Sequence, residues 1–161
     1  MLQPSMAAIL VGILGTFAMD LGGVLALRLG LSGPGPRRNG PALLGRWIGY
    51  LGQGKLRHDD ILQTPPLRGE IPVGVVSHYA IGMVLGLGYL MLLQTTHMPS
   101  SVLTGLGYGV ATTVFSLFVM FPSQGMGWMG SRLPGAARLS LVNHAFFGLG
   151  LWLWTMILKP L

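Results

Sequence analysis

Residues 71–130 read IPVGVVSHYAIGMVLGLGYLMLLQTTHMPSSVLTGLGYGVATTVFSLFVMFPSQGMGWMG, sixty positions without one Asp, Glu, Lys or Arg. A helix needs about 20 apolar residues to cross the hydrocarbon of a bilayer, so this run is long enough for two crossings. His97-Met98-Pro99-Ser100 breaks it into two segments, 72–94 and 101–121, and Pro122 with the glycines after it ends the second. Two further apolar segments lie outside the run, at about 6–29 and 139–158, each long enough to span. The backbone of an isolated segment in lipid must satisfy its own polar groups, so the expectation is all-α: a polytopic membrane protein with four transmembrane helices in a bundle. The whole chain, 1–161, reads as one integral membrane domain.

Composition agrees. The chain is 51% hydrophobic and 9% charged, with mean hydropathy +0.63, which leaves too few charges to cover a soluble globule. Its net charge of +6 comes from ten basic residues against four acidic ones. Nine of them (Arg28, Arg37, Arg38, Arg46, Lys55, Arg57, Arg68, Arg132 and Arg138) fall in or beside the first and third connections, and Lys159 is the tenth. Cytoplasmic loops carry such an excess. The expected topology therefore places the loop 30–71 in the cytoplasm and both termini outside, in a bacterial inner membrane. No nucleic-acid reader motif accompanies the basic residues, so no nucleic-acid partner is expected. The bilayer is the expected partner, with a homo-oligomer or a larger membrane complex open. A positive leader is absent and Asp20 interrupts the first apolar run, so that segment reads as a span rather than a cleaved signal.

The first connection carries structure of its own. Pro41 precedes a stretch in which Leu43, Leu44, Trp47, Ile48 and Leu51 share one helical face, and Gly52 and Gly54 follow it. This pattern predicts an amphipathic or re-entrant segment, with Trp47 and Tyr50 suited to the headgroup level and Arg46 to a phosphate or carboxylate. Ser32-Gly33-Pro34-Gly35-Pro36 marks the end of the first span.

Helices in lipid meet through small residues, and each span offers a stripe of them. The stripes are Gly12-x3-Thr16-x3-Asp20, Gly74-x3-His78-x3-Gly82-x3-Gly86, Gly105-x3-Gly109 and Ser140-x3-His144-x3-Gly148. Three carry an ionisable group. Helical rise puts Asp20, His78 and His144 at similar depths, about 13, 9 and 8 Å from the basic ends of their spans. An ionised Asp in mid-membrane costs about 2.5–3.5 kcal/mol on insertion scales, so it calls for a partner, a water-filled cavity or protonation. We therefore take Asp20, His78 and His144 as an intramembrane polar site, and Arg46, His58, Asp59 and Glu70 as its cytoplasmic mouth.

Each residue also has a plainer role. The histidines can be neutral interhelical hydrogen-bonding groups, Glu70 can complement the positive end of the helix that starts at Pro72, and Asp59 or Asp60 can cap the turn at Ile61-Leu62. His78, His144 and Asp20 supply two nitrogens and a carboxylate, adequate for a divalent metal. Haem or a quinone headgroup on the histidines also stays open, so the cofactor is not assigned. Without cysteine, covalent c-type haem and Cys-ligated clusters are excluded. Met120, Met126 and Met129 read as apolar filling rather than a copper site. Gly125 and Gly127 lack the Lys-Ser/Thr of a phosphate loop, and no nucleophile-elbow motif occurs.

Several of these pieces, in order, resemble the bacterial membrane family known as domain of unknown function 2938. The matching elements are Val11-Gly12-Ile13-Leu14-Gly15-Thr16 through Met19-Asp20, Gly45-Arg46-Trp47, His58-Asp59, Gly69-Glu70, His78-Tyr79-x2-Gly82, and His144-Ala145-x-Phe147-Gly148-Leu149-Gly150-Leu151. The resemblance implies four spans in a bacterial inner membrane and transfers no reaction or cofactor. Three function classes follow from the residues. Proton-coupled transport or conductance of a small solute leads, because intramembrane ionisable groups mark such pathways. A metal-, haem- or quinone-binding redox or assembly subunit, and an enzyme acting on a lipid or isoprenoid, are the alternatives.

Overall fold

A computed structural model describes residues 4–31 and 40–159. The break expected at 32–36, Arg37 and Arg38, and the terminal Pro160-Leu161 lie outside the described residues. The described residues form helices α1 (Pro4–Arg28), α2 (Gly40–Leu51), α3 (Glu70–Thr96), α4 (Val102–Phe115), α5 (Phe121–Ser123) and α6 (Ala136–Leu158), and no strand. Four helical stretches are long and apolar enough to cross a membrane: Met6–Arg28, Glu70–Thr96, Val102–Ser123 and Ala136–Leu158.

Local chemistry explains the ends. Ser101 caps α4, its hydroxyl accepting from the Thr104 N–H while the Thr104 hydroxyl accepts from the Ser101 N–H. At the other end of that span Pro122 has no N–H to give, and in an α-helix its ring would press on the carbonyl four residues back. The chain widens there into a π turn over Ser116–Met120, the Phe121 N–H reaching the Ser116 carbonyl, before α5 completes the span.

The small-residue stripes sort the spans into two antiparallel pairs. On α1, Gly12 and Thr16 lie against Gly86 and Gly82 of α3, so closely that a Cβ at Gly82 would overlap the Thr16 hydroxyl. Thr16 turns that hydroxyl onto its own helix, donating to the Gly12 carbonyl at 2.8 Å. On α4, Gly105 and Gly109 lie against Gly148 of α6 with equal intimacy. The pairs join through α1 and α6, where Gly15 meets Phe147, Leu151 and Gly150, and Gly22 meets Phe146. The spans thus follow the order α3, α1, α6, α4. Tyr108 ties α4 back to α3, donating to the Leu85 carbonyl at 2.8 Å with its ring against Tyr89.

Apolar packing forms two clusters, one toward each end of the bundle. Ala8, Val11, Tyr89, Leu90, Leu93, Phe147 and Leu151 make the core toward the 97–101 turn. At the opposite, basic end α2 crosses α3 where Gly45 and Gly74 face each other, and a Cβ on either would strike the Glu70 or Pro41 carbonyl. The amphipathic face read from the sequence is the one α2 buries: Leu44 and Trp47 pack with Ile61 and Met126, flanked by Leu43, Ile48 and Leu51. Backbone bonds stitch this layer together, His58 N–H to the Ser123 carbonyl at 2.7 Å and Ile61 N–H to the Gln124 carbonyl at 2.9 Å. The first connection therefore bridges both helix pairs across the end of the bundle.

Candidate functional site

Asp20 lies on α1 one turn beyond Thr16, where the α1–α3 stripe continues into His78. Both residues sit about 12 Å from the basic ends of their helices at roughly 1.5 Å per residue. The imidazole Nε2–H of His78 donates to Asp20 Oδ1 at 3.2 Å, and the Tyr79 hydroxyl donates to Oδ2 at 2.9 Å. One carboxylate thus holds two neighbouring side chains of α3, whose rings meet edge-on with centroids 5.8 Å apart. Donors on both oxygens favour the ionised carboxylate. The cluster is open: the Asp20 side chain is 46% exposed and that of His78 27%. Apart from Arg28, the last residue of α1, no Lys or Arg lies within the four span helices beyond Arg138 in the first turn of α6.

His144 is placed differently. It is buried on the α4–α6 seam with Nδ1 2.7 Å from the Thr112 hydroxyl and Nε2 3.4 Å from the Ser116 hydroxyl. Thr112 already donates its proton to the Gly109 carbonyl, so Nδ1–H is the donor to Thr112 and Nε2 accepts from Ser116. A neutral imidazole satisfies that arrangement, which begins where the helix widens into its π turn. Of the three residues grouped from the sequence, the structure pairs Asp20 with His78 and gives His144 to α4. Among the described residues no three His, Asp or Glu side chains form a group able to hold a metal ion.

At the basic end, Arg46 reaches across from α2 to the start of α3. Its Nε and Nη2 donate to the two oxygens of Glu70 at 2.8 Å each, and Nη1 donates to the carbonyls of Ile61 at 3.1 Å and Thr64 at 2.9 Å. Glu70 also accepts from the Leu67 N–H at 2.9 Å. Asp60 accepts from the Leu62 N–H, making the turn around Ile61, and the Asp59 carbonyl rests on Gly125. His58 is 1% exposed. Its Nδ1 lies 3.0 Å from the Thr64 hydroxyl, which itself donates to the Asp60 carbonyl, so Nδ1 carries the proton and the buried Nε2 has no partner.

His58 lies outside the spans, and burial, reinforced by the positive charges of Lys55 and Arg46 against the weaker opposing pull of Asp59, pushes its imidazole below its ordinary value. A histidine depressed in the folded state makes the unfolded chain bind more protons, so stability is complete above about pH 6.5 and falls as pH drops below it. Thermal melts of the detergent-solubilised protein should show this loss between pH 7 and 5. His58→Gln should flatten it; an unchanged slope in that variant would place the titration elsewhere.

Four side chains here were not singled out from the sequence. Tyr79 follows His78 directly, and its phenol in mid-span was the available signal. Thr112 and Ser116, spaced one turn apart, put two hydroxyls on a single face of the Val102–Ser123 span. Asn143 on α6, whose side-chain oxygen is buried without a partner near Gly23, gave only its polarity.

A family model described as Protein of unknown function (DUF2938) matches residues 9–158, nearly the whole chain, and the chain belongs to that family. No curated protein and no solved structure matches it.

Proposed function

We propose that this chain, a member of the family described as Protein of unknown function (DUF2938), exchanges protons at Asp20 within the membrane and couples them to the passage of a small solute. The observation that carries this reading is a carboxylate part-way through a span, held by His78 and Tyr79 yet nearly half exposed. A charge at that depth is costly, and a purely structural ion pair is expected to be closed off and matched by a cation. Asp20 is open, and its partner His78 carries a matching charge only when protonated. In this proposal the basic end faces the cytoplasm of the cell, the membrane is the bacterial inner membrane, and the chain works as one membrane domain. His144 then serves as the clamp between α4 and α6, adjoining the site without carrying its proton.

The alternatives have less to draw on. Four of the five N–H groups of Arg46 are engaged by Glu70, Ile61 and Thr64, which leaves little for a lipid phosphate. Both nitrogens of His144 are occupied by hydroxyls, which argues against a haem or metal ligand at that position.

Proteoliposomes loaded with a pH-reporting dye test the proposal. An imposed gradient should drive proton flux that Asp20→Asn lowers at least about tenfold and Asp20→Glu largely keeps. Equal flux through wild type and Asp20→Asn would remove Asp20 from the pathway.

A further inference from the structure

We infer that the Asp20 site takes an amphiphilic organic cation that reaches it from the bilayer through the outer edge of the α1–α3 seam. The inference deepens the proton-exchange reading and rests on it.

Charge comes first. Glu70 is neutralised by Arg46, and Asp59 and Asp60 lie in the first connection, so Asp20 is the one acidic group in the span helices without a Lys or Arg partner among the described residues. Its two partners donate hydrogen bonds without matching its charge when His78 is neutral. The site therefore attracts a cation and repels an anion. Coordination narrows the class. A hard metal ion asks for about six or more oxygen ligands in a closed cage, whereas Asp20 and Tyr79 offer three oxygens in an open one. An alkylammonium or other organic cation needs only the carboxylate and an aromatic face, and the Tyr79 ring supplies the face.

Exposure gives the route. Around Asp20 on α1, Phe17, Leu21 and Val24 are about half exposed, and Val75 and Val76 precede His78 on α3 with their side chains likewise exposed. On helices that cross a membrane this apolar surface meets lipid tails, so the carboxylate opens into a hydrophobic surround. A ligand arriving there must carry apolar groups with its positive charge. The α6 residues nearest this level of α1, Asn143 and Phe146, are uncharged. The titratable groups that face Asp20 are thus His78 and Tyr79 on α3, while His144 is turned to α4. Protonating Asp20 removes the attraction, which makes proton and cation alternative occupants of one site.

Calorimetric titration of the detergent-purified full chain separates charge recognition from simple partition. Tetraphenylphosphonium and tetraphenylborate share size and shape and differ in sign. Saturable binding is expected for the cation alone, and about tenfold weaker in Asp20→Asn. Asp20→Glu should retain it, and Tyr79→Leu, which removes the aromatic face, should weaken it while leaving the thermal melt in place. Binding of both ions alike, no saturable binding, or affinity untouched by Asp20→Asn with an unaltered melt would overturn the inference. Liposome flux that depends on Asp20 in the absence of such binding would overturn the cation class and leave proton exchange standing; loss of both would remove the two together.

Discussion

Arg46→Ala should cost about 3 kcal/mol of stability, because it strips one buried carboxylate and two carbonyls of their partner together. The Arg46 and Glu70 side chains are only 12% and 11% exposed, and the planar guanidinium satisfies both oxygens of Glu70 while its other edge closes the 61–64 turn. Arg46→Lys should restore little, since an ammonium cannot span the fork and the two carbonyls at once. Replacing the pair with Arg46→Met and Glu70→Leu together should recover much of the loss, for the larger part of the damage is the stranded charge. Denaturant or thermal unfolding in mild detergent, followed by circular dichroism, measures all four proteins. A cost under about 1 kcal/mol for Arg46→Ala would mean that the end layer holds without this bridge.

Gly109→Val should be nearly as damaging, whereas Gly107→Val, two residues away on the same helix, should be close to silent. A Cβ at Gly109 would sit within contact of the His144 carbonyl and the Gly148 backbone, groups that cannot move aside without parting α4 from α6. At Gly107 nothing lies within 4 Å. Overpacking a tight contact costs about 1–3 kcal/mol, and here it would also pull Thr112 and Ser116 from His144. The comparison controls for helix propensity, because both variants replace glycine by the same β-branched residue. Equal melting temperatures for the two would show that the α4–α6 seam is looser than its glycines imply.

Much of the molecule was legible from residues alone. Four crossings follow from the uncharged run at 71–130 and the apolar segments on either side of it, since hydrocarbon admits few alternatives for a backbone. The buried face of α2 follows from the spacing of Leu43, Leu44, Trp47, Ile48 and Leu51. Less was legible at the site. Asp20 and His78 could be placed at a similar level by counting residues, but the hydroxyls of Thr112 and Ser116 are common in spans and carry no signal until a partner is seen. The engagement of Arg46 by two main-chain carbonyls was equally hidden, because carbonyls are present at every residue.

The sequence by itself determined the number of spans and the small-residue face of each, because both depend on hydropathy and helical periodicity along one segment. Which stripe meets which was decided by the tertiary structure. All four stripes are built from small residues with single polar or ionisable ones, so nothing in their periodicity distinguishes an α1–α3 contact from an α1–α4 one; the choice comes from the summed fit of whole faces and from the end layer that bridges the pairs. That choice brings Asp20 to His78 and Tyr79 and commits His144 to the hydroxyls of Thr112 and Ser116, turning three groups of similar depth into one open carboxylate site and one closed clamp.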